Sequence, residues 1–284
     1  MQIREVLNGA TEKLGSAHIE SPRLSAELLL GFVLKKDRFY LHIHDTDVLT
    51  EEDETAFASL LHRRLSREPV SYLTGTKEFY GRDFTVDHTT LIPRPETELL
   101  IDCALANTPE QSSLCFADFG TGSGNIGITL ACERPAWHGI LLEKSRAALN
   151  RARANAFRLN IASHLAFLCG DWNDDVLKPA SLDLLVSNPP YIAWEERGLV
   201  MEDVFLFEPH TALFASKRGL NDLDMIIQRA QTVLKDQGIL LLEHGASQGE
   251  AVRNLLLAHD FCAVATYRDL AGLERVTMGR RTQS

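Results

Sequence analysis

Long apolar runs are missing from this 284-residue sequence. None approaches the roughly 18 residues that a membrane-spanning helix needs. The opening Met1-Gln2-Ile3-Arg4-Glu5 places charge where a secretory leader carries an apolar core. Cysteine is scarce and odd in number: Cys103, Cys115, Cys132, Cys169 and Cys262 are scattered, mostly inside apolar stretches. They are expected to be buried, reduced thiols of a cytoplasmic protein. No CxxC and no HExxH occurs, so neither a structural zinc nor a zincin site is expected, and no other metal site is legible. No Ser-His-Asp or Cys-His arrangement is legible either. Positive charge is in deficit, with 29 Lys and Arg against 39 Asp and Glu. A general nucleic-acid binder usually presents a basic face, because phosphate neutralisation supplies much of its affinity, and this balance argues against one. The 45% of hydrophobic residues is enough to exclude disorder as the dominant state.

What is present falls into two textures. In residues 1–75, Ser21-Pro22 looks like a helix N-cap with proline at the first helical position, followed by Leu24, Leu28, Leu29, Phe32 and Val33 at helical spacing. Thr50-Glu51-Glu52-Asp53 opens a second helix, with Phe57, Leu60, Leu61 and Leu65 as its apolar stripe. No strand pattern or glycine-rich loop interrupts them, so this region is expected to be a small helical domain. Residues 76–93 predict a β-hairpin linker, with strands at 79–86 and 90–92 around a polar turn at Asp87-His88. Pro93-Arg94-Pro95-Glu96-Thr97-Glu98 then opens a helix through Leu99, Leu100 and Leu105. Residues 94–284 form the third division. There, short apolar strands at 115–119, 139–142, 165–169, 182–187 and 239–243 alternate with helices at 125–133, 146–159 and 248–258. Strands at 261–267 and 275–278 close the chain. This is the pattern of an α/β fold with a mainly parallel sheet covered on both faces. The short glycine-containing link between the last two strands predicts that one of them runs antiparallel.

Two places carry chemistry. Gly120-Thr121-Gly122-Ser123-Gly124 follows the first strand of the sheet and precedes a helix. Glycines there let backbone approach a ligand closely, and the helix offers free N–H groups. Gly122-x-Gly124-x-x-Gly127 fits the dinucleotide fingerprint, whereas Gly120-x-Gly122-x-Gly124 fits S-adenosylmethionine-dependent methyltransferases. Glu143, about 20 residues on, suits a carboxylate accepting ribose hydroxyls under either cofactor. The second place is Asn188-Pro189-Pro190-Tyr191, at the carboxyl end of the 182–187 strand. Two adjacent prolines stiffen the turn. The Asn188 amide oxygen and the Pro189 carbonyl then become two acceptors for a planar NH2 group, and Tyr191 a wall against its flat face. Such acceptors hold a weakly nucleophilic nitrogen in line and favour the positive charge that develops on it. That favours the methyltransferase reading over a nicotinamide-nucleotide module. Asp171-Trp172, after the third strand, is a candidate adenine neighbour. Arg94, Glu96 and Glu98 are candidates for substrate positioning or for helix capping, and Glu243-His244 for lining the cleft. His42 and His44 read as surface residues.

The segments Glu68-Pro69-Val70-Ser71-Tyr72-Leu73-Thr74-Gly75, Glu78-Phe79-Tyr80-Gly81 and Ile92-Pro93-Arg94-Pro95-Glu96-Thr97-Glu98 now fall into a pattern with the glycine loop, Ser187 to Ile192, and Glu208-Pro209-His210-Thr211-Ala212-Leu213. In that order they resemble the protein-(glutamine-N5) methyltransferases acting on peptide chain release factors, the PrmC/HemK family. The resemblance runs from about Glu68 to Arg275. The Asn-Pro-Pro-Tyr turn alone is shared with adenine-N6 methyltransferases of nucleic acid, which remain the alternative. The Ile92 to Glu98 segment ahead of the glycine loop is more specific.

The resemblance implies a Rossmann-like S-adenosylmethionine-dependent methyltransferase sheet with a small N-terminal helical domain that docks the protein substrate. It implies cofactor binding by Gly120, Thr121, Gly122, Ser123, Gly124, Glu143, Trp172 and Asn188. Asn188, Pro189, Pro190 and Tyr191 would hold the acceptor glutamine, with Asn188, Pro189 and Tyr191 as the catalytic residues. The expected partner is a release factor, with no direct nucleic-acid or membrane partner, and the expected state is a monomer. Glu143 stands where the family usually has aspartate, and the stretch around Lys217-Gly219-Leu220-Asn221 departs from the family's glycine-rich one.

Overall fold

The computed structural model describes residues 1–110 and 112–282. The chain divides into two compact units, one of Met1–Thr76 with Val200–Phe207, the other of Lys77–Leu199 with Glu208–Ser284.

The first unit is helical: α1 (Ile3–Ser16), α2 (Pro22–Leu34), α3 (Arg38–Ile43), α4 (Glu51–Leu65) and α5 (Val70–Thr74), with α9 (Glu202–Phe207) contributed from far along the chain. Helix α4 starts where Thr50 Oγ1 accepts from the Asp53 N–H, and its four first-turn acids and its last-turn His62, Arg63 and Arg64 suit the helix dipole. Leu7, Leu14, Leu29, Leu30, Leu41 and Phe57 form the core. Arg64, almost fully buried, donates to the carbonyls of Arg67 and Glu68 and pairs with Asp203, which ties α9 to α4. Helix α2 buries Ala26, Leu29 and Leu30 but leaves Leu24, Leu28 and Phe32 at 38%, 40% and 49% exposure. The spacing expected to form one buried stripe therefore splits between two faces. Leaving a side chain such as Phe32 half in water forfeits on the order of 1 kcal/mol of burial.

The second unit is built on a seven-stranded sheet. In chain order its strands are β3 (Cys115–Phe119), β4 (His138–Glu143), β5 (Leu165–Cys169), β6 (Leu182–Ser187), β9 (Leu234–Glu243), β10 (Phe261–Arg268) and β11 (Glu274–Arg281). Their spatial order is β10-β11-β9-β6-β3-β4-β5, and β7 (Ile192–Ala193) and β8 (Phe214–Ala215) form a separate parallel pair. All neighbouring pairs from β5 through β9 are parallel, while β11 runs antiparallel to both β9 and β10. Strand β11 is thus the reversed strand that the short link predicts. Helices α6 (Glu98–Asn107), α7 (Asn125–Glu133), α8 (Arg146–Arg158), α11 (Asn221–Val233) and α12 (Gly249–Ala258) accompany it. One core cluster holds Phe116, Trp137, Leu141, Leu184 and Val186; another holds Ala117, Phe119, Leu185, Ile226 and Leu240. Adjacent residues of β3 and of β6 fall in different clusters, as a parallel sheet buried on both faces requires.

Several expectations need correction. The hairpin is β1 (Thr76–Phe79) and β2 (Arg82–Thr85), turning at Tyr80-Gly81 rather than at Asp87-His88. Both turn residues lie at positive φ, 52° and 71°, the backbone that a two-residue hairpin favours. Phe79 and Phe84 pack edge to face across it. Asp87–Thr90 is a separate turn, closed by Thr90 N–H to the Asp87 carbonyl, and no strand follows it. Ser21 is the N-cap of α2 but makes no capping bond, because its backbone is left-handed. Of the cysteines only Cys103 is buried; Cys115, Cys132 and Cys262 are half-buried and Cys169 is exposed, though all five are free thiols. Helix α11 corresponds to no helix expected from the sequence between Tyr191 and Ile239. Among the described residues, no helix is long and apolar enough to cross a membrane.

Candidate active site

In a sheet of this order the direction of winding reverses between β3 and β6, and the crevice beyond their carboxyl ends is where ligands of open α/β sheets bind. The register aligns those ends: Phe119 pairs with Ser187 and with Leu142, Glu143 with Cys169, and Ser187 with Leu242. The glycine loop, Glu143, the Asn-Pro-Pro-Tyr turn and Glu243 therefore meet at one edge.

The glycine loop is held chiefly by its own backbone. Gly120 and Thr121 donate to the Leu142 carbonyl at 2.9 and 3.2 Å, and Gly124 donates to Thr121 at 2.8 Å. Gly120, Gly122 and Gly124 all have positive φ. A Cβ on Gly124 would come within 2.5 Å of Ile128 and 3.1 Å of Ala152, and one on Gly120 within 3.2 Å of the Trp172 ring. A Cβ on Gly122 would meet nothing within 4 Å, so the loop leaves open space on that side. Gly127 answers to packing: its N–H donates to Asp118 at 2.9 Å, and a Cβ there would strike Leu141. The Thr121 hydroxyl turns inward to Asp118 at 2.6 Å, and that of Ser123 to Asn125 at 3.2 Å, so what these two residues offer a ligand is backbone. Asp118 is fully buried, and burial raises its carboxyl to about 6 against the pull of Thr121 and Gly127. Its Oδ1 has no hydrogen-bond partner among the described residues. Glu143 accepts from Gly122 N–H at 3.0 Å and from Ser145 N–H at 2.8 Å, which places its carboxylate directly at the loop. Buried Asn155 braces the loop, donating to the Ser123 carbonyl at 2.9 Å while exchanging bonds with Thr85.

The Asn188–Tyr191 turn is held by side chains from far along the sequence. Ser187 Oγ donates to the Phe119 carbonyl at 2.7 Å, fixing the strand end beside the glycine loop. Asn188 Nδ2 donates to Thr97 Oγ1 at 3.2 Å, which turns Oδ1 away from that contact. Pro189 and Pro190 are buried and Tyr191 is half-buried. Gln248, at the start of α12, donates to the Tyr191 carbonyl at 2.9 Å while accepting from Gly245 N–H at 2.9 Å. Gly219, in the single turn α10 (Ser216–Gly219), approaches the same carbonyl so closely that a Cβ there would lie 2.1 Å from it. Burial, then the neighbouring Glu243, push the Tyr191 phenol well above its ordinary pKa, so it is a neutral hydroxyl at physiological pH.

The weaker candidates separate. Arg94 pairs with Glu208, whose other oxygen accepts from Ile92 N–H at 3.0 Å. The Ile92–Glu98 segment is thus joined to Glu208–Leu213 through one buried carboxylate. Glu98 accepts from Tyr80 N–H at 2.8 Å, supporting the hairpin turn. His42 is exposed and His44 half-buried, and they lie beside Glu27 and Asp47 respectively. Sequence reasoning missed Thr97, Gln248, Gly219, Glu208 and Asn155 as supports. Thr97 and Glu208 lie in quoted segments, but nothing local marks what they touch.

The PrmC N-terminal domain family matches residues 5–75, and a methyltransferase-domain family matches residues 110–277. The chain is 41% identical over 281 residues to the release factor glutamine methyltransferase of Nitratidesulfovibrio vulgaris, covering 98% of this chain and 95% of that protein. It is 40% identical over 282 residues to the protein of the same name from Salmonella typhimurium, covering 99% and 100%. It is 38% identical over 284 residues to that of Koribacter versatilis, covering the whole of both.

Proposed function

The chain belongs to the release factor glutamine methyltransferase family, and from that premise we propose that it transfers a methyl group from S-adenosylmethionine to the side-chain amide nitrogen, N5, of the glutamine in the Gly-Gly-Gln motif of peptide chain release factors. The observation that carries this reading is the meeting of the glycine loop and the Asn188 turn at one switch point, with Thr97 holding the amide of Asn188.

The residues present suit the cofactor. Gly120, Gly122 and Gly124 would let it approach the backbone, with the N–H groups of Thr121 and Ser123 beside them. The open space at Gly122 leaves room for a ligand against the loop backbone. Glu143 would accept from its ribose hydroxyls, and Trp172, against Gly120, would flank its base. S-adenosylmethionine supplies an electrophilic methyl group on a sulfonium.

The chain's own task is to make an amide nitrogen react although its lone pair is delocalised into the carbonyl. Asn188 Oδ1 and the Pro189 carbonyl would accept the two amide hydrogens. They would fix the nitrogen in line and stabilise the positive charge that grows on it as the new N–C bond forms. One of those hydrogens then leaves as a proton to solvent, restoring a neutral secondary amide. The buried prolines keep the turn from yielding, and the neutral Tyr191 lies along the flat amide.

The helical unit is the docking module in this reading, supported by the exposed row Leu24, Leu28 and Phe32 on α2. Release factors work in translation, which places the reaction in the cytoplasm. Incubation with methyl-labelled cofactor and, in parallel, purified release factor, duplex DNA and RNA tests the reading. Label in the release factor alone is expected; label in adenine of either nucleic acid would replace it with the adenine-N6 alternative.

A further inference from the structure

Beside the Asn188 turn lies a buried carboxyl group, that of Glu243. Glu243 ends β9, the neighbour of β6, and because Leu242 pairs with Ser187 the next residues, Glu243 and Asn188, stand side by side beyond the strands. Glu243 is 1% exposed, and its Oε2 is buried without a hydrogen-bond partner among the described residues. Burying a carboxylate oxygen without a partner is costly, and packing alone does not account for an acid at this position. Its neighbour His244 differs: its two ring nitrogens are occupied by the Gly245 carbonyl at 2.9 Å and Thr277 Oγ1 at 2.8 Å.

The groups facing the Glu243 carboxyl are the hydroxyls of Thr97 and Tyr191, the guanidinium of Arg275 and the carboxylate of Glu96. Thr97 Oγ1 already accepts from Asn188 Nδ2, so its own hydrogen is free to point at Glu243. A threonine hydroxyl that donates to a carboxylate presents its lone pairs elsewhere, and Asn188 is where they go. The same carboxylate draws the Tyr191 hydroxyl inward.

We propose that Glu243 is a positioning residue for methyl transfer: its carboxylate orients the Thr97 hydroxyl, which fixes the Asn188 amide with Oδ1 toward the acceptor nitrogen, and it sets the Tyr191 ring from behind. This rests on the methyl-transfer reading above and extends it from the turn to what aims the turn. The ionised form is the effective one, because it accepts from both hydroxyls at once. Burial, opposed by Thr97 and Arg275, raises Glu243 from 4.5 to about 7, so its ionisation falls within the working pH range.

The test compares wild type, Glu243→Gln, Thr97→Val and Thr97→Ser in steady-state methylation of release factor from about pH 5.5 to 8.5. Wild-type kcat should rise with pH through about 7. Glu243→Gln should lose on the order of 10- to 100-fold in kcat above neutrality and lose that rise. Its KM for release factor and its affinity for S-adenosylhomocysteine, measured by calorimetry, should change little. Thr97→Val should lose kcat similarly, while Thr97→Ser, which keeps the hydroxyl, should retain most of it.

A readout independent of activity is stability. A carboxyl raised in the fold contributes stability below its unfolded pKa and loses it as pH rises through about 7. The Tm of Glu243→Gln should therefore gain on wild type across that range. Wild-type kcat and pH profile in Glu243→Gln would overturn the proposal. If that variant does not fold, equal activity of Thr97→Val and Thr97→Ser would overturn it instead. A wild type that does not methylate release factor would overturn the function itself, and this inference with it.

Discussion

The two loops at the switch point are built by opposite means. The loop after β3 is held chiefly through its backbone: its bonds run to Leu142, to Glu143 and within the loop, with Asn155 as a brace, its bends are glycines at positive φ, and one of those glycines is required by the packing of Ile128 and Ala152. The turn after β6 is held from outside, by Thr97 ninety-one residues before Asn188, by Gly219 and by Gln248 fifty-seven residues after Tyr191. In the proposed function the first loop would serve a ligand whose binding needs backbone and space. The second would present one amide oxygen in one orientation, and orientation needs a supporting shell. On that reading binding belongs to the first and aim to the second, and substitutions in each should separate the two quantities.

The largest effect is expected for Asn188→Ala. Losing one preorganised contact to the reacting amide should lower kcat on the order of 10²- to 10³-fold, with S-adenosylhomocysteine affinity within severalfold of wild type. Near wild-type methylation by the folded variant would remove Asn188 from its role.

Gly122→Val should do the reverse. Left-handed backbone costs a branched residue about 1–2 kcal/mol, which the free loop relieves by leaving the binding conformation, so up to about tenfold in cofactor affinity is lost before any clash with the ligand is counted. Calorimetry on the variant decides it, and unchanged affinity would show that the open space at Gly122 is not the ligand's.

Gly219→Ala sharpens the comparison from the other loop. The new Cβ cannot stay 2.1 Å from the Tyr191 carbonyl, so the turn must shift. A loss of about tenfold in kcat with intact cofactor binding is expected, in keeping with displacement of a reacting group by a fraction of an ångström.

The smallest effect lies in the helical unit. Phe32→Asp on the exposed face of α2 should raise KM for intact release factor by roughly three- to tenfold and leave a short Gly-Gly-Gln peptide unaffected, because docking contacts act only on the larger substrate. Equal changes for both substrates would show that this face does not dock the factor.

What could be read from sequence follows the same division. Strands β3, β5 and β6 begin and end where their apolar runs do, and α7 coincides with its expected span, because burial on both faces of a parallel sheet writes itself into continuous sequence. The glycine loop was legible for the same reason, since its geometry is encoded in the residues that adopt it. The hairpin was misplaced because Phe79–Val86 reads as one strand, and only the positive φ of Tyr80 and Gly81 breaks it. Helix α2 misled because a regular 3–4 spacing does not say which of its apolar residues a neighbour covers. The shell of the Asn188 turn was illegible because Thr97, Gly219 and Gln248 are unremarkable in their own surroundings and meaningful only across the fold. Glu243 was visible as a cleft candidate, but its burial beside Thr97 and Tyr191 is a property of three dimensions alone.

The most direct test of the account is the position of the methyl group. After reaction of wild type and Asn188→Ala with S-adenosylmethionine and release factor, the factor is digested and its peptides are fragmented by mass spectrometry. One methyl group on the side-chain amide of the Gly-Gly-Gln glutamine is expected with wild type, and that modification is expected to be nearly absent with Asn188→Ala. A methyl group found elsewhere on the factor, or the glutamine methylated equally by both proteins, would contradict it.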